Sequence, residues 1–165
     1  MKFKCYDVVE IQGKRYVVGE VISYQEFIVD KTIRYDLNDE NYKKELGVSK
    51  GAQSWTEYGL MPVNGKDKKW LTIVNGEKEY CTFSEPVLRS TPPERYRLHD
   101  KGVERVISVE GQSKAREGDK ADFKEYRMIQ KDKTYVFFME DWHGGLKDQA
   151  QGERIRLSDV HRRRD

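Results

Sequence analysis

Two glutamates in matching company are the residues whose type and spacing could do chemistry. Glu57 stands in Trp55-Thr56-Glu57-Tyr58, and Glu125 in Phe123-Lys124-Glu125-Tyr126. In an extended strand alternate side chains share a face. Glu57 therefore lies on the face of Trp55 and opposite Tyr58, and Glu125 on the face of Phe123 and opposite Tyr126. If the leading aromatics face the core, each carboxyl is carried toward apolar surroundings. There it must pair with Lys, Arg or Tyr, or take a raised pKa. Two such carboxyls in one cleft could work as a general acid and base. The plainer reading turns Tyr inward and Glu to water, and then the glutamates do no chemistry.

Other candidates are each weighed against a bland role. Trp55, Tyr58, Trp70 and Tyr80 could stack nucleic-acid bases, but Lys68 and Lys69 are balanced by Glu77 and Glu79, and core packing explains the aromatics as well. Asp141-Trp142-His143 precedes Gly144-Gly145 and reads as a turn capped by a packing Trp. His99, His143 and His161 fall in separate segments and read as surface or hydrogen-bonded residues. Arg162, Arg163 and Arg164 could touch phosphate or anionic lipid; the expectation is a solvated, frayed end. The sequence has no Gly-rich phosphate loop, no Gly-x-Ser-x-Gly and no His or Cys metal pair. No cofactor or metal is expected. Cys5 and Cys81 read as buried free thiols.

The elements that must position these residues are strands. Residues 54–83 read as three strands joined by tight turns at Asn64-Gly65 and Asn75-Gly76, dipeptides that accept positive φ. Residues 3–11 and 15–24 read as strands, with a bulge, bend or close approach at Gly19. A third strand is expected over 26–35, then a short helix near 41–46 or a loop. Residues 84–93 hold three of the four prolines and form an extended connector. Strands are expected over 94–99 and 103–110 around a turn at Asp100-Lys101-Gly102. Residues 122–129 and 134–139 form a hairpin, 141–152 are irregular, and 153–157 are a last short strand.

The two halves rhyme. Val21-Ile22-Ser23-Tyr24 is echoed by Val106-Ile107-Ser108-Val109, Trp55–Met61 by Phe123–Ile129, and Lys66-Asp67-Lys68 before Trp70 by Lys131-Asp132-Lys133 before Tyr135. Hairpins built from the same few residue types also rhyme by chance. If the repeat is real, the halves span 1–88 and 89–161, packed as one unit, with a basic tail at 162–165.

Charge and composition narrow the classes. The first 83 residues hold 13 basic and 13 acidic side chains, and the remainder 18 and 16. A body this close to neutral argues against nucleic acid, which selects a basic face. No run of apolar residues is long enough to span a membrane as a helix, and the first residues lack a signal-peptide pattern, so a cytoplasmic location is expected.

On Gly19 with Val21–Tyr24, Trp55–Tyr58, Trp70-Leu71, Val109-Glu110-Gly111, Gly118-Asp119, Tyr126 and Gly152, the chain resembles a bacterial family, domain of unknown function 4178. The Trp-Thr-Glu-Tyr block followed by Trp-Leu is the most specific match, and the resemblance covers almost the whole chain. The chain departs from the pattern in three ways. It lacks the Cys-x-x-Cys of an N-terminal zinc ribbon, it has an apparent insertion at 36–53, and Gln112-Ser113 stands where a proline is expected. The resemblance implies a β-rich fold and a bacterial source, and it brings no activity.

The expected fold is mainly β: antiparallel sheets or a barrel built from two similar β-rich halves, with at most one short helix. The first functional expectation is a non-catalytic protein-interaction or structural module whose partner is another protein. Its candidate binding residues are Trp55, Glu57, Tyr58, Trp70, Glu125, Tyr126 and Trp142. The alternative is a lipocalin-like barrel around a small apolar ligand, which requires an aromatic-lined cavity of ~300 Å³ or more. The third is an acid/base enzyme using Glu57 and Glu125, which requires both in one cleft.

Overall fold

Lys14–Phe27 is one long strand, and a bulge at Gly19 divides it. Before the bulge, Tyr16 and Val18 share a buried face. After it Val21 packs on that face, and Glu20, Ile22 and Tyr24 turn to the other. One extra residue shifts the two-residue side-chain period by one. The strand also changes neighbour there, since Lys14–Val17 pairs one strand and Glu20–Phe27 another.

The structure, a computed structural model, describes residues 2–27 and 53–163. In these residues the strands are β1 Val8–Ile11, β2 Lys14–Phe27, β3 Ser54–Pro62, β4 Lys69–Val74, β5 Tyr80–Pro86, β6 Arg97–Gly111, β7 Lys120–Gln130, β8 Lys133–Trp142, β9 Lys147–Arg156 and β10 Val160–Arg163. A 3-10 turn over Leu157–Asp159 precedes β10. β2–β5 form one four-strand meander and β6–β9 another. β2 pairs β6 and β5 pairs β9, which closes eight antiparallel strands into a barrel. β1 lies outside it, between β2 and β10. No helix among the described residues is long and apolar enough to cross a membrane.

The outer face of the first meander is the packed core. Phe3, Val9, Ile11 and Val160 cover Tyr16, Val18, Tyr58, Leu60, Leu71 and Phe83. Burying each of these large side chains is worth roughly 1.5–3 kcal/mol. Over the second meander the Pro-rich connector 87–96 plays the covering part. The Val87 N–H donates to the Gln149 carbonyl at 3.0 Å, Tyr96 is hydrogen-bonded to the Gln151 side chain, and Phe137 is fully buried.

Several sequence expectations are corrected. Asn64-Gly65 and Asn75-Gly76 sit in six- and five-residue loops, 63–68 and 75–79, not in two-residue turns. The β3–β4 ladder already ends at the pairs Leu60–Lys69 and Trp55–Val74. Asp100-Lys101-Gly102 is no turn, because continuous pairing with β7 carries β6 across it, and an irregularity between Leu98 and Asp100 absorbs the mismatch. Of the strand expected at 3–11 only Val8–Ile11 forms, since a turn between Lys4 and Asp7, with Tyr6 at φ 74°, breaks the segment. Residues 147–156 are a full strand. His161–Arg163 do not fray: they pair with β1, Arg162 lies 3.6 Å from Asp7, and Arg163 is bound to Glu10. The expected helix near 41–46 and most of the strand at 26–35 lie outside the described residues.

Candidate functional site: the barrel lumen

The wall alternation decides what faces inward. Even residues of β4, β5 and β8 face the lumen, among them Trp70, Thr72, Thr82, Ser84, Val136, Phe138, Glu140 and Trp142; so do the odd residues Trp55, Glu57, Phe123 and Glu125 of β3 and β7. Beyond the Gly19 bulge, β2 adds Glu20, Ile22 and Tyr24. These side chains leave a cavity of about 890 Å³. Lys68, the 112–115 segment and the turn after β8 border one end of it.

The aromatic walls form a connected run. Tyr24 stacks on Trp55, with centroids 5.7 Å apart and planes at 20°. Trp55 meets Phe123 edge-on at 5.5 Å, and Phe123 stacks with Phe138 at 6.0 Å. Trp142 lies 6.5 Å from Tyr24, and its Nε1–H donates to Asp148 at 2.9 Å. Such offset and edge contacts hold rings in place without filling the space between them.

Carboxyls punctuate this surface. Glu20 is buried and bound to Lys68, whose ammonium also sits 4.0 Å from the Trp70 ring centroid. Gly59 makes room for that pair, since a Cβ there would lie 2.4 Å from Glu20 Cγ. Glu104 is fully buried and Glu140 nearly so. The two carboxyls are hydrogen-bonded to each other, with the protonated Glu104 donating to Glu140; beyond that bond no group reaches either Glu104 oxygen or Oε2 of Glu140. Burial, then repulsion from Glu140, holds Glu104 well above the ordinary carboxylate range. Glu57 is likewise pushed well up, by burial and then by Glu140 and Glu20, with Lys68 opposing. Glu140 is raised chiefly by burial. Glu26, opposite Glu104 on β2, is raised to about 6 by burial and by Asp100. Burial and the same carboxyls push the Tyr24 hydroxyl up.

The structure divides the residues singled out in the sequence. Trp55, Glu57, Trp70, Glu125 and Trp142 line one cavity. Tyr58 does not: it is buried in the outer core against Phe3, whose N–H donates to its hydroxyl at 3.4 Å. Tyr126 also faces away from the lumen, near Phe137. The orientation with tyrosine inward and glutamate in water is therefore corrected, because the lumen takes the glutamates. Nor do Trp55, Tyr58, Trp70 and Tyr80 form a stacking platform; Trp55 and Trp70 are in the lumen, Tyr58 in the outer core, and Tyr80 outside under the Arg154 guanidinium. Glu125 shares the cavity with Glu57 but is held by Arg127 at 2.9 Å, with His99 at 3.8 Å. His143 lies 3.2 Å from Asp122. Cys5 and Cys81 are both free thiols, but only Cys81 is buried as expected, and Cys5 is partly exposed. Among the described residues no group of three or more His, Cys, Asp or Glu could hold a metal ion.

Sequence reasoning missed Glu20, Tyr24, Glu104, Phe138 and Glu140. The signal for two of them was present in β8, where Val136, Phe138, Glu140 and Trp142 alternate on one face. The other three depend on bulges, in β2 at Gly19 and in β6 near Ile107, that reverse the alternation.

A family model described as Domain of unknown function (DUF4178) matches residues 6–157. No curated protein and no solved structure matches the chain.

Proposed function

The chain therefore belongs to the DUF4178 family, and we propose that it is a non-catalytic binding barrel that holds one small organic molecule in its lumen. The observation that carries this reading is the aromatic-walled cavity of about 890 Å³ inside a closed eight-stranded barrel. Small-molecule sites fall in the range of roughly 300–1,000 Å³, apolar with a few placed polar groups. Eight-stranded barrels are the size that encloses one such ligand. This adopts the second expectation from the sequence in place of the first. Protein docking has a narrower basis, the exposed Leu98 and Ile129 beside Arg95 and Arg97. Closure of β2 on β6 and β5 on β9 also occupies sheet edges at which a partner strand would add.

The two meanders read best as copies of one unit. The matched residues Ser23 and Ser108 pair directly across β2 and β6. The matched rings of Trp55 and Phe123 meet inside the barrel. Both contacts are what a two-fold axis through that wall would produce, and they support 1–88 and 89–161 as halves of one barrel.

The protein carries its own reporter, because all three tryptophans line the cavity. Small molecules extracted from the host are expected to shift its tryptophan emission. Ala150→Phe, which adds bulk to the lumen from β9, is expected to abolish the shift while the variant stays folded. No shift in the wild type, or the same shift in folded A150F, would overturn the reading.

A further inference from the structure

The lumen holds charge-bearing groups that the chain leaves unanswered. Lys68 is committed to Glu20. Glu140 lines the cavity only 9% exposed, and the one group that reaches its carboxylate is the protonated carboxyl of Glu104, which leaves the pair with a buried negative charge and no cation. Leaving a buried polar group unsatisfied costs about 1–3 kcal/mol, more if it is charged. Apolar residues of similar size would fill these positions without that cost. Glu57 adds a third carboxyl from β3. The rings around them select the same partner, since the faces of Trp, Tyr and Phe attract cations. A neutral apolar guest would leave the buried charge without a cation, and an anion would be repelled. The described residues offer no three-ligand cluster for a metal ion, so the acidic groups suit a charge carried on an extended molecule.

We propose that the lumen binds an organic cation, a protonated amine bearing an apolar chain or ring, with its ammonium against Glu57 and Glu140 and its apolar part along Tyr24, Trp55, Phe123 and Phe138. This rests on the lumen being the binding site. The ammonium favours the ionised carboxyls, so binding expels protons and tightens as pH rises. The groups facing this region are Glu20, Tyr24 and Glu26 from β2, Glu57 from β3, Asp100 and Glu104 from β6, Glu125 from β7, Glu140 from β8 and Asp148 from β9. Lys68 stands at the rim with His143, Lys114 and Asp119. Carboxyls dominate the set, and those that burial raises, Glu57, Glu104 and Glu140, set the sign.

The test is a chain-matched trio of probes, hexylammonium, hexanol and hexanoate, titrated into the full-length protein by tryptophan fluorescence and calorimetry. Hexylammonium is expected to saturate the signal and to bind at least about tenfold more tightly than hexanol, a difference of ~1.4 kcal/mol, with no hexanoate binding. Its affinity is expected to rise between about pH 6 and about pH 8, with proton release seen as buffer-dependent heat. Glu140→Gln is expected to weaken hexylammonium about tenfold and leave hexanol unchanged. Hexanol binding as tightly as hexylammonium would overturn the cation assignment and leave the binding barrel standing. No binding by any of the three would overturn the assignment and count against the barrel reading as well.

Discussion

Glu104 is the residue whose chemistry is furthest from what its type suggests. A glutamate inside a strand reads as a solvent-facing position, yet this one is fully buried, with the carboxyl of Glu140 as its one partner. Its carboxyl is neutral in the folded protein well above the pH at which an unfolded glutamate ionises. The native state then binds more protons than the unfolded chain, so stability falls as pH rises above the ordinary carboxylate range. The contribution is fully present below the unfolded pKa and is lost as pH climbs through the folded one. Glu26 adds to the same trend between 4.5 and about 6. Glu104→Gln keeps the shape and removes the titration. In urea unfolding of the free protein between about pH 5 and about pH 8, the variant is expected to show a shallower fall, by up to about 1.4 kcal/mol per pH unit, and to exceed the wild type at the alkaline end. Parallel curves for the two proteins would mean that Glu104 ionises normally.

At the scale of elements, Gly152 shows how close two strands come. It pairs with Ser84 in the middle of β9, and a Cβ there would lie 2.0 Å from the Phe83 carbonyl oxygen and 2.5 Å from Ser84 Cα. Both are backbone atoms of β5, so no side chain can step aside, and an added methyl must push apart the strands that close the barrel. Gly152→Ala is expected to cost about 3 kcal/mol, the upper part of the range for overpacking. Gly19→Ala meets nothing closer than 3.9 Å and is expected to cost under about 1 kcal/mol; equal losses in urea unfolding would show that close approach is not what sets the difference. The contrast also marks what a sequence can tell. Runs of β-branched and aromatic residues between turn signals made β2, β3, β4, β7 and β8 visible, and Gly19 suggested a bulge, a bend or a close approach. Gly152 looked like loop punctuation, because a glycine needed for a close approach and one needed for a turn are the same letter. The division into lumen and outer core was hidden for a related reason. Both faces of β3 and β4 are apolar or aromatic, and a period of two identifies a buried face only when the other is polar. Trp55, Glu57 and Trp70 could thus be picked out as candidates, whereas which surface held them, and which residues came from distant strands to join them, depended on closure.

Closure is the property of the whole molecule from which the site follows. No single meander contains the lumen: Tyr24, Trp55 and Trp70 come from the first, and Phe123, Phe138, Glu140 and Trp142 from the second. Each half alone would expose its lumen face to water and leave edges unpaired, along Glu20–Phe27 of β2 and along β5 in one and along β6 and β9 in the other. A four-strand sheet with one open apolar face and two open edges is prone to pair with anything that offers strands. The first half would also lose β10 from its outer layer, because β10 belongs to the far end of the chain and pairs β1. Folding of the halves is therefore mutual. A chain divided within the 87–96 connector is expected to yield two fragments that lack native near-ultraviolet signal when separate. Mixed in equal amounts, they are expected to recover that signal together with the tryptophan emission of the intact lumen. A fragment that folds by itself as a monomer, with its own cooperative unfolding transition, would mean that the halves are independent domains, and the cavity would then be an interface between them rather than the interior of one barrel.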